Sequence, residues 1–107
     1  MQLHISFDMT DLDKALIIAK QVEPFADIIE VGTLTLLAHG VSAISAFKKA
    51  VPEATILADA KIIDRGAQIV NLCAQAGADW VTVMAGTSPD AIHLACKTAR
   101  EQSINIM

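Results

Sequence analysis

Leu57-Ala58-Asp59-Ala60-Lys61-Ile62-Ile63-Asp64-Arg65-Gly66 is an apolar run that ends in three charged groups at a D-x-K-x-x-D spacing. Read as a strand over Thr55–Lys61, its side chains alternate between two faces. Asp59 and Lys61 then share one face, and Ile56, Ala58 and Ala60 take the other. A carboxylate and an ammonium at the end of a buried strand are costly unless they pair or bind something. Asp64 lies past the strand, where the chain turns toward a helix. Capping a helix that starts near Gly66 would by itself account for it.

The units on either side repeat this strand-then-helix pattern. Leu3 to Asp8 alternates Leu3, Ile5 and Phe7 with His4, Ser6 and Asp8. Thr10 or Asp11 can cap a helix running to about Val22, with Ala15, Leu16, Ile17 and Ala19 on its apolar side. Glu23-Pro24 ends it, because the residue before a proline resists the helical region. Asp27 to Gly32 is a second strand, and Val41, Ile44 and Phe47 predict a helix over His39–Ala50. After the opening stretch come a helix over Gly66–Ala76 with Gly77 as its stop and a strand over Ala78–Met84. Ser88-Pro89 then starts a helix that runs to about Gln102. Ile104 to Met107 begins a fifth strand. Ala26-Asp27 and Ala78-Asp79 introduce two of these strands in the same way.

Repeated βα units with near-continuous apolar strands predict a parallel sheet covered by helices, with successive strands side by side. Four such units make half of a (β/α)8 barrel, or a small open α/β sheet. No G-x-G-x-x-G follows the first strand, which weakens a dinucleotide-binding reading. The 107 residues suit one domain; the formal net charge of −4 and the pI near 5.1 argue against a nucleic-acid surface. With 53% hydrophobic residues the chain is apolar, yet no run is long enough to span a membrane, and no signal peptide is evident. A cytoplasmic protein is expected. Cys73 and Cys96 lack metal-ligand spacing and read as small buried hydrophobes.

Ligands bind at the C-terminal ends of the strands in such sheets. Asp8, Glu30, Asp59 and Lys61 all fall there, on the face away from the helices. Three carboxylates and one lysine are therefore expected to converge on one mouth. Adjacent carboxylates invite a cation, and oxygen donors with room for water suit Mg²⁺. Lys61 offsets part of the charge and can stabilise a developing oxyanion. His4 reads as a satisfied interior residue, and His39 and His93 as solvated. The face taken by Trp80 stays open.

Four segments carry a resemblance: Ile5-Ser6-Phe7-Asp8, Asp27-Ile28-Ile29-Glu30-Val31-Gly32-Thr33, Leu57 to Asp64, and Gly77 to Val83. Through them the chain resembles the N-terminal half of the orotidine monophosphate decarboxylase suprafamily, nearest its 3-hexulose-6-phosphate synthase and 3-keto-L-gulonate-6-phosphate decarboxylase branch. The resemblance implies half of a (β/α)8 TIM barrel from an Mg²⁺-dependent homodimeric lyase that acts on ketose phosphates through an ene-diolate. It implies Glu30 and Asp59 as metal ligands, Lys61 at the ene-diolate oxygens, Asp8 on substrate hydroxyls and Asp64 reaching into the partner subunit's site. Glutamate at position 30, where orotidine monophosphate decarboxylases carry lysine, favours the metal-dependent branch. Arg65 and Met84-Ala85-Gly86-Thr87 depart from the pattern. Family members are about twice as long, so the general acid and the phosphate grip are expected outside these residues. A half barrel with two open edges also predicts self-association, and an inactive self-associating fragment is the bland alternative.

Overall fold

The computed structural model describes residues 1–107. Five parallel strands lie in the order β1-β2-β3-β4-β5: β1 (His4–Phe7), β2 (Ile28–Val31), β3 (Thr55–Ile62), β4 (Trp80–Val83) and β5 (Asn105–Ile106). Five helices cross between them: α1 (Leu12–Val22), α2 (Thr33–His39), α3 (Ser42–Ala50), α4 (Gly66–Gln75) and α5 (Pro89–Glu101). No helix is long and apolar enough to cross a membrane.

The strand register sorts the sequence into two faces. Phe7, Val31, Ala58, Val81 and Ile106 pair in one row across all five strands. The first four of these are buried, and Ile106 packs against the same core. On this helix-covered side Phe7 meets Phe47 of α3, with ring centroids 5.3 Å apart, a favourable tilted pairing. The row on the opposite face is Ser6, Glu30, Leu57, Trp80 and Asn105. Trp80 therefore takes the inner face. Leu57 is fully buried there, outside the helix-side core.

The Ala-Asp echo has a physical basis. Asp27 accepts the Leu3 N–H at 2.7 Å, and Asp79 accepts the Ile56 N–H at 2.8 Å. In each case the aspartate opening one strand holds the amide of the neighbouring strand, which pins the register where pairing begins. Asp79 also receives Lys48 Nζ at 2.8 Å.

Asp11 caps α1 by accepting the Lys14 N–H at 3.0 Å, and Ser88 caps α5 by accepting the Ala91 N–H at 3.2 Å. Two expectations need correction. The segment read as one helix over His39–Ala50 is two helices, α2 and α3, parted at Gly40, whose φ of +65° suits glycine. The chain thus carries five helices rather than four. Ile17, placed on an apolar helix face, is 61% exposed, because Ala15 and Ala19 turn α1 inward.

Candidate active site

Asp59 and Lys61 stand at the C-terminal end of β3 and contact each other through Lys61 Nζ and Asp59 Oδ2. Thr33, the first residue of α2, donates to Asp59 Oδ2 at 2.8 Å and accepts from Lys61 Nζ at 2.5 Å. Thr82 of β4 donates to Asp59 Oδ1 at 2.9 Å. Burial pushes the Asp59 pKa up. Hydrogen bonds from Lys61, Thr33 and Thr82, with the Lys61 charge, outweigh burial and hold the carboxyl below its ordinary range. Asp59 is thus a fixed carboxylate with an ammonium beside it.

Glu30 lies one strand away and one row deeper on the same inner face. Its Oε1 accepts from Ser6 Oγ at 2.8 Å, and its Oε2 lies 2.6 Å from His4 Nε2. His4 is satisfied, as expected, but not enclosed: its ring, 35% exposed, holds Glu30. Both partners come from β1, because the register sets Ser6 opposite Glu30 and His4 one pleat earlier. Asp8, just past β1, accepts the Leu34 N–H at 2.8 Å and so holds the first turn of α2.

The expected convergence is looser than the sequence suggested. No three acidic, histidine or cysteine side chains are gathered to hold one ion. Each carboxylate has its own partners instead. The donors still suit Mg²⁺, which commonly takes one or two carboxylates and keeps several waters. Both oxygens of Glu30, and Asp59 Oδ1, carry a second lone pair beyond the contacts described, whereas Asp59 Oδ2 already meets both Thr33 and Lys61.

Asp64 stays apart. It is exposed, and α4 begins at Gly66 from Arg65, which holds a left-handed φ of +53° and gives no side-chain cap. The capping role considered for Asp64 is therefore not the one it plays. The loop it sits in is tied at Ile63, whose carbonyl accepts from Thr87 Oγ1. His39 is half-buried, with Nε2 2.6 Å from the Thr10 carbonyl, whereas His93 is exposed. Cys73 is buried as expected and Cys96 partly so.

Sequence reasoning passed over Thr33, Thr82, His4 and Ser6 as site residues. The first two were recoverable in part, since each stands at the C-terminal end of a strand where only polar inner-face residues can serve Asp59. The β1 pair depended on register.

A family model, the orotidine 5'-phosphate decarboxylase / HUMPS family, matches residues 1–107. The chain is 33% identical over its full 107 residues to 3-hexulose-6-phosphate synthase of Bacillus subtilis (strain 168), covering 51% of that protein. It is 37% identical over 100 residues to a probable 3-keto-L-gulonate-6-phosphate decarboxylase of Haemophilus influenzae, covering 94% of this chain and 44% of that protein. Its fold superposes on the crystal structure of 3-hexulose-6-phosphate synthase from Salmonella typhimurium with a TM-score of 0.95 and 39% identity, covering 99% of this chain and 50% of that one. The chain spans about half the length of the curated relatives it matches, and its five parallel strands are consistent with half of a (β/α)8 barrel. A match along the whole sequence places this chain in the orotidine 5'-phosphate decarboxylase / HUMPS family.

Proposed function

We propose that the chain supplies the N-terminal half of the active site of an Mg²⁺-dependent lyase acting on ketose phosphates through an ene-diolate. The observation that carries this reading is the Asp59–Lys61 contact at the end of β3, with Glu30 on the adjoining strand of the same face. Glu30 and Asp59 would hold the Mg²⁺, whose charge stabilises an enolate-type oxygen when bound. Lys61, on its flexible stem, donates hydrogen bonds to the same oxygens. Asp8 orients substrate hydroxyls at the mouth of the sheet, and its cap on α2 keeps its carboxylate in place.

The reaction we favour is that of a 3-hexulose-6-phosphate synthase, the aldol reaction of ribulose 5-phosphate with formaldehyde, in a cytoplasmic enzyme. Decarboxylation of 3-keto-L-gulonate 6-phosphate uses the same ene-diolate and is the alternative. Orotidine 5'-phosphate decarboxylation fits less well, because Glu30 puts a negative charge beside Asp59. The assay is turnover of these three substrates with Mg²⁺ and with a chelator. Metal-dependent turnover of ribulose 5-phosphate with formaldehyde, lost in Glu30→Gln and Asp59→Asn, is the expected result. Metal-free turnover of orotidine 5'-phosphate would overturn the reading.

A homodimer in which Asp64 serves the neighbouring subunit's site belongs to the same proposal. It is supported by the exposure of Asp64 and of Ile63 (63%) beside it. Mixed dimers of Asp59→Asn and Asp64→Asn chains should regain activity that neither variant has alone. Failure of that rescue in a proven mixed dimer removes the cross-subunit role. The open β1 and β5 edges also support an inactive, self-associating half barrel. Association without turnover on any of the three substrates would favour it.

A further inference from the structure

The ladder between β3 and β4 loses step at one place. Leu57 pairs with Trp80 and Ala58 with Val81, but the next pair is Ile62 with Val83. β3 spends Asp59, Ala60 and Lys61 where β4 spends only Thr82. Bulges of this kind re-aim side chains, and they are common next to active sites. Lys61 sits in the bulge with φ +46°, a left-handed conformation that costs a non-glycine residue and persists only where its surroundings hold it.

Thr82 bonds its backbone there. The Lys61 N–H, drawn out of the ladder by the bulge, donates to Thr82 Oγ1 at 2.8 Å. The same hydroxyl donates its own proton to Asp59 Oδ1 at 2.9 Å. One oxygen, with one proton and two lone pairs, thus joins the backbone of the lysine to the side chain of the aspartate. Valine has the same shape and equal liking for a strand, and Thr82 lies between Val81 and Val83. The hydroxyl is the only feature of this side chain that the pairing uses.

We propose that Thr82 is a positioning residue, which aims Lys61 at the reacting oxygens and fixes the Asp59 carboxylate beside it by closing the β3 bulge. This rests on the ene-diolate reading of the site. It acts on the donor that must meet the developing charge, so it bears on the chemical step more than on ground-state affinity.

The test compares Thr82→Val, which removes only the hydroxyl, with Thr82→Ser, which keeps it. The first readout is amide hydrogen exchange in the 107-residue chain. Thr82→Val should speed exchange at Lys61 by about tenfold and leave Val81 and Ile29 protected, and Thr82→Ser should restore Lys61 protection. The second is steady-state kinetics, in a protein that holds both halves of the barrel, on ribulose 5-phosphate with formaldehyde. Thr82→Val should lower kcat by about ten- to a hundredfold with little change in KM, and Thr82→Ser should recover most of it. If Thr82→Val does not fold, Thr82→Ala takes its place. Unchanged Lys61 exchange in the variant without the hydroxyl overturns the proposal and leaves the ene-diolate reading standing. Absence of turnover in an unaltered protein that holds both halves of the barrel overturns that reading, and the exchange data still decide whether Thr82 holds the bulge.

Discussion

Gly32 and Asp8 stand so close that a Cβ added to Gly32 would lie 2.6 Å from Asp8 Oδ1, and 2.8 Å from the Phe7 carbonyl oxygen. The second contact is with backbone and cannot swing away. Gly32→Ala must therefore push β2 from β1 or expel the Asp8 carboxylate from its place at the Leu34 N–H. A cost of about 1–3 kcal/mol is expected, as for other overpacked sites. Chemical denaturation measures it, and the Leu34 amide resonance should shift far more than those of α5. An unchanged Leu34 amide would show that Asp8 keeps its cap.

Asp79 holds the Ile56 amide and Lys48 together. The ion pair is well exposed on both sides and adds little. The amide bond matters more, because removing its acceptor leaves a part-buried N–H unmet. Asp79→Ala should lower stability by about 1–2 kcal/mol, Lys48→Met by under about 1 kcal/mol, and Asp79→Asn should recover much of the loss. Urea titration of the three variants checks the order. Equal costs for Asp79→Ala and Lys48→Met would mean that the ion pair, not the amide, is what counts.

The lowered pKa of Asp59 makes a signed prediction. Its folded-state value lies below the unfolded one, near 3.8. The stability this group contributes is therefore complete above that value and is lost as pH falls through the folded pKa. In metal-free protein, Asp59→Asn should flatten the decline of stability below about pH 4. A decline identical to that of the parent would place the acid sensitivity elsewhere.

Burial pushes the Cys73 thiol up from 9.0 to about 11. Here the folded value lies above the unfolded one, so the contribution is complete below pH 9.0 and is lost as pH rises toward 11. A thiol reagent at pH near 8 should label the partly exposed Cys96 first. Cys73 should react at the rate of global opening. Cys73→Ala should remove the part of the alkaline loss of stability that lies between those two pKa values. Equal labelling rates for the two cysteines would contradict the burial of Cys73.

The strands were legible because their apolar runs are bounded by turn residues, and the order of the sheet followed from the βα alternation. The Asp11 and Ser88 caps were legible from local chemistry alone. The α2 helix was not: the helix was expected to start only near His39, whereas Thr33–His39 is already helical and Thr35 is buried there, its hydroxyl donating toward the Phe7 or Met9 carbonyl. In the site, Asp59 and Lys61 were found in contact, but the alternation that paired them on paper is broken by the bulge. His4 on Glu30 and Thr82 on Asp59 join residues more than twenty positions apart in the chain. Only the register between strands brings them together, and single-residue spacing does not encode it.

The strict neighbour-to-neighbour order of the sheet has a consequence for how the molecule assembles. His4 meets Ile28, Ile28 meets Thr55, Leu57 meets Trp80 and Trp80 meets Asn105. Every pairing thus closes a loop of about two dozen residues, and none waits for a distant segment. Loop-closure entropy is nearly the same at each step. Each new βα unit can dock on the one before it as the chain leaves the ribosome, in the manner of a repeat array. The last strand added always offers the next docking edge, so β5 is where synthesis of a following unit would continue the sheet.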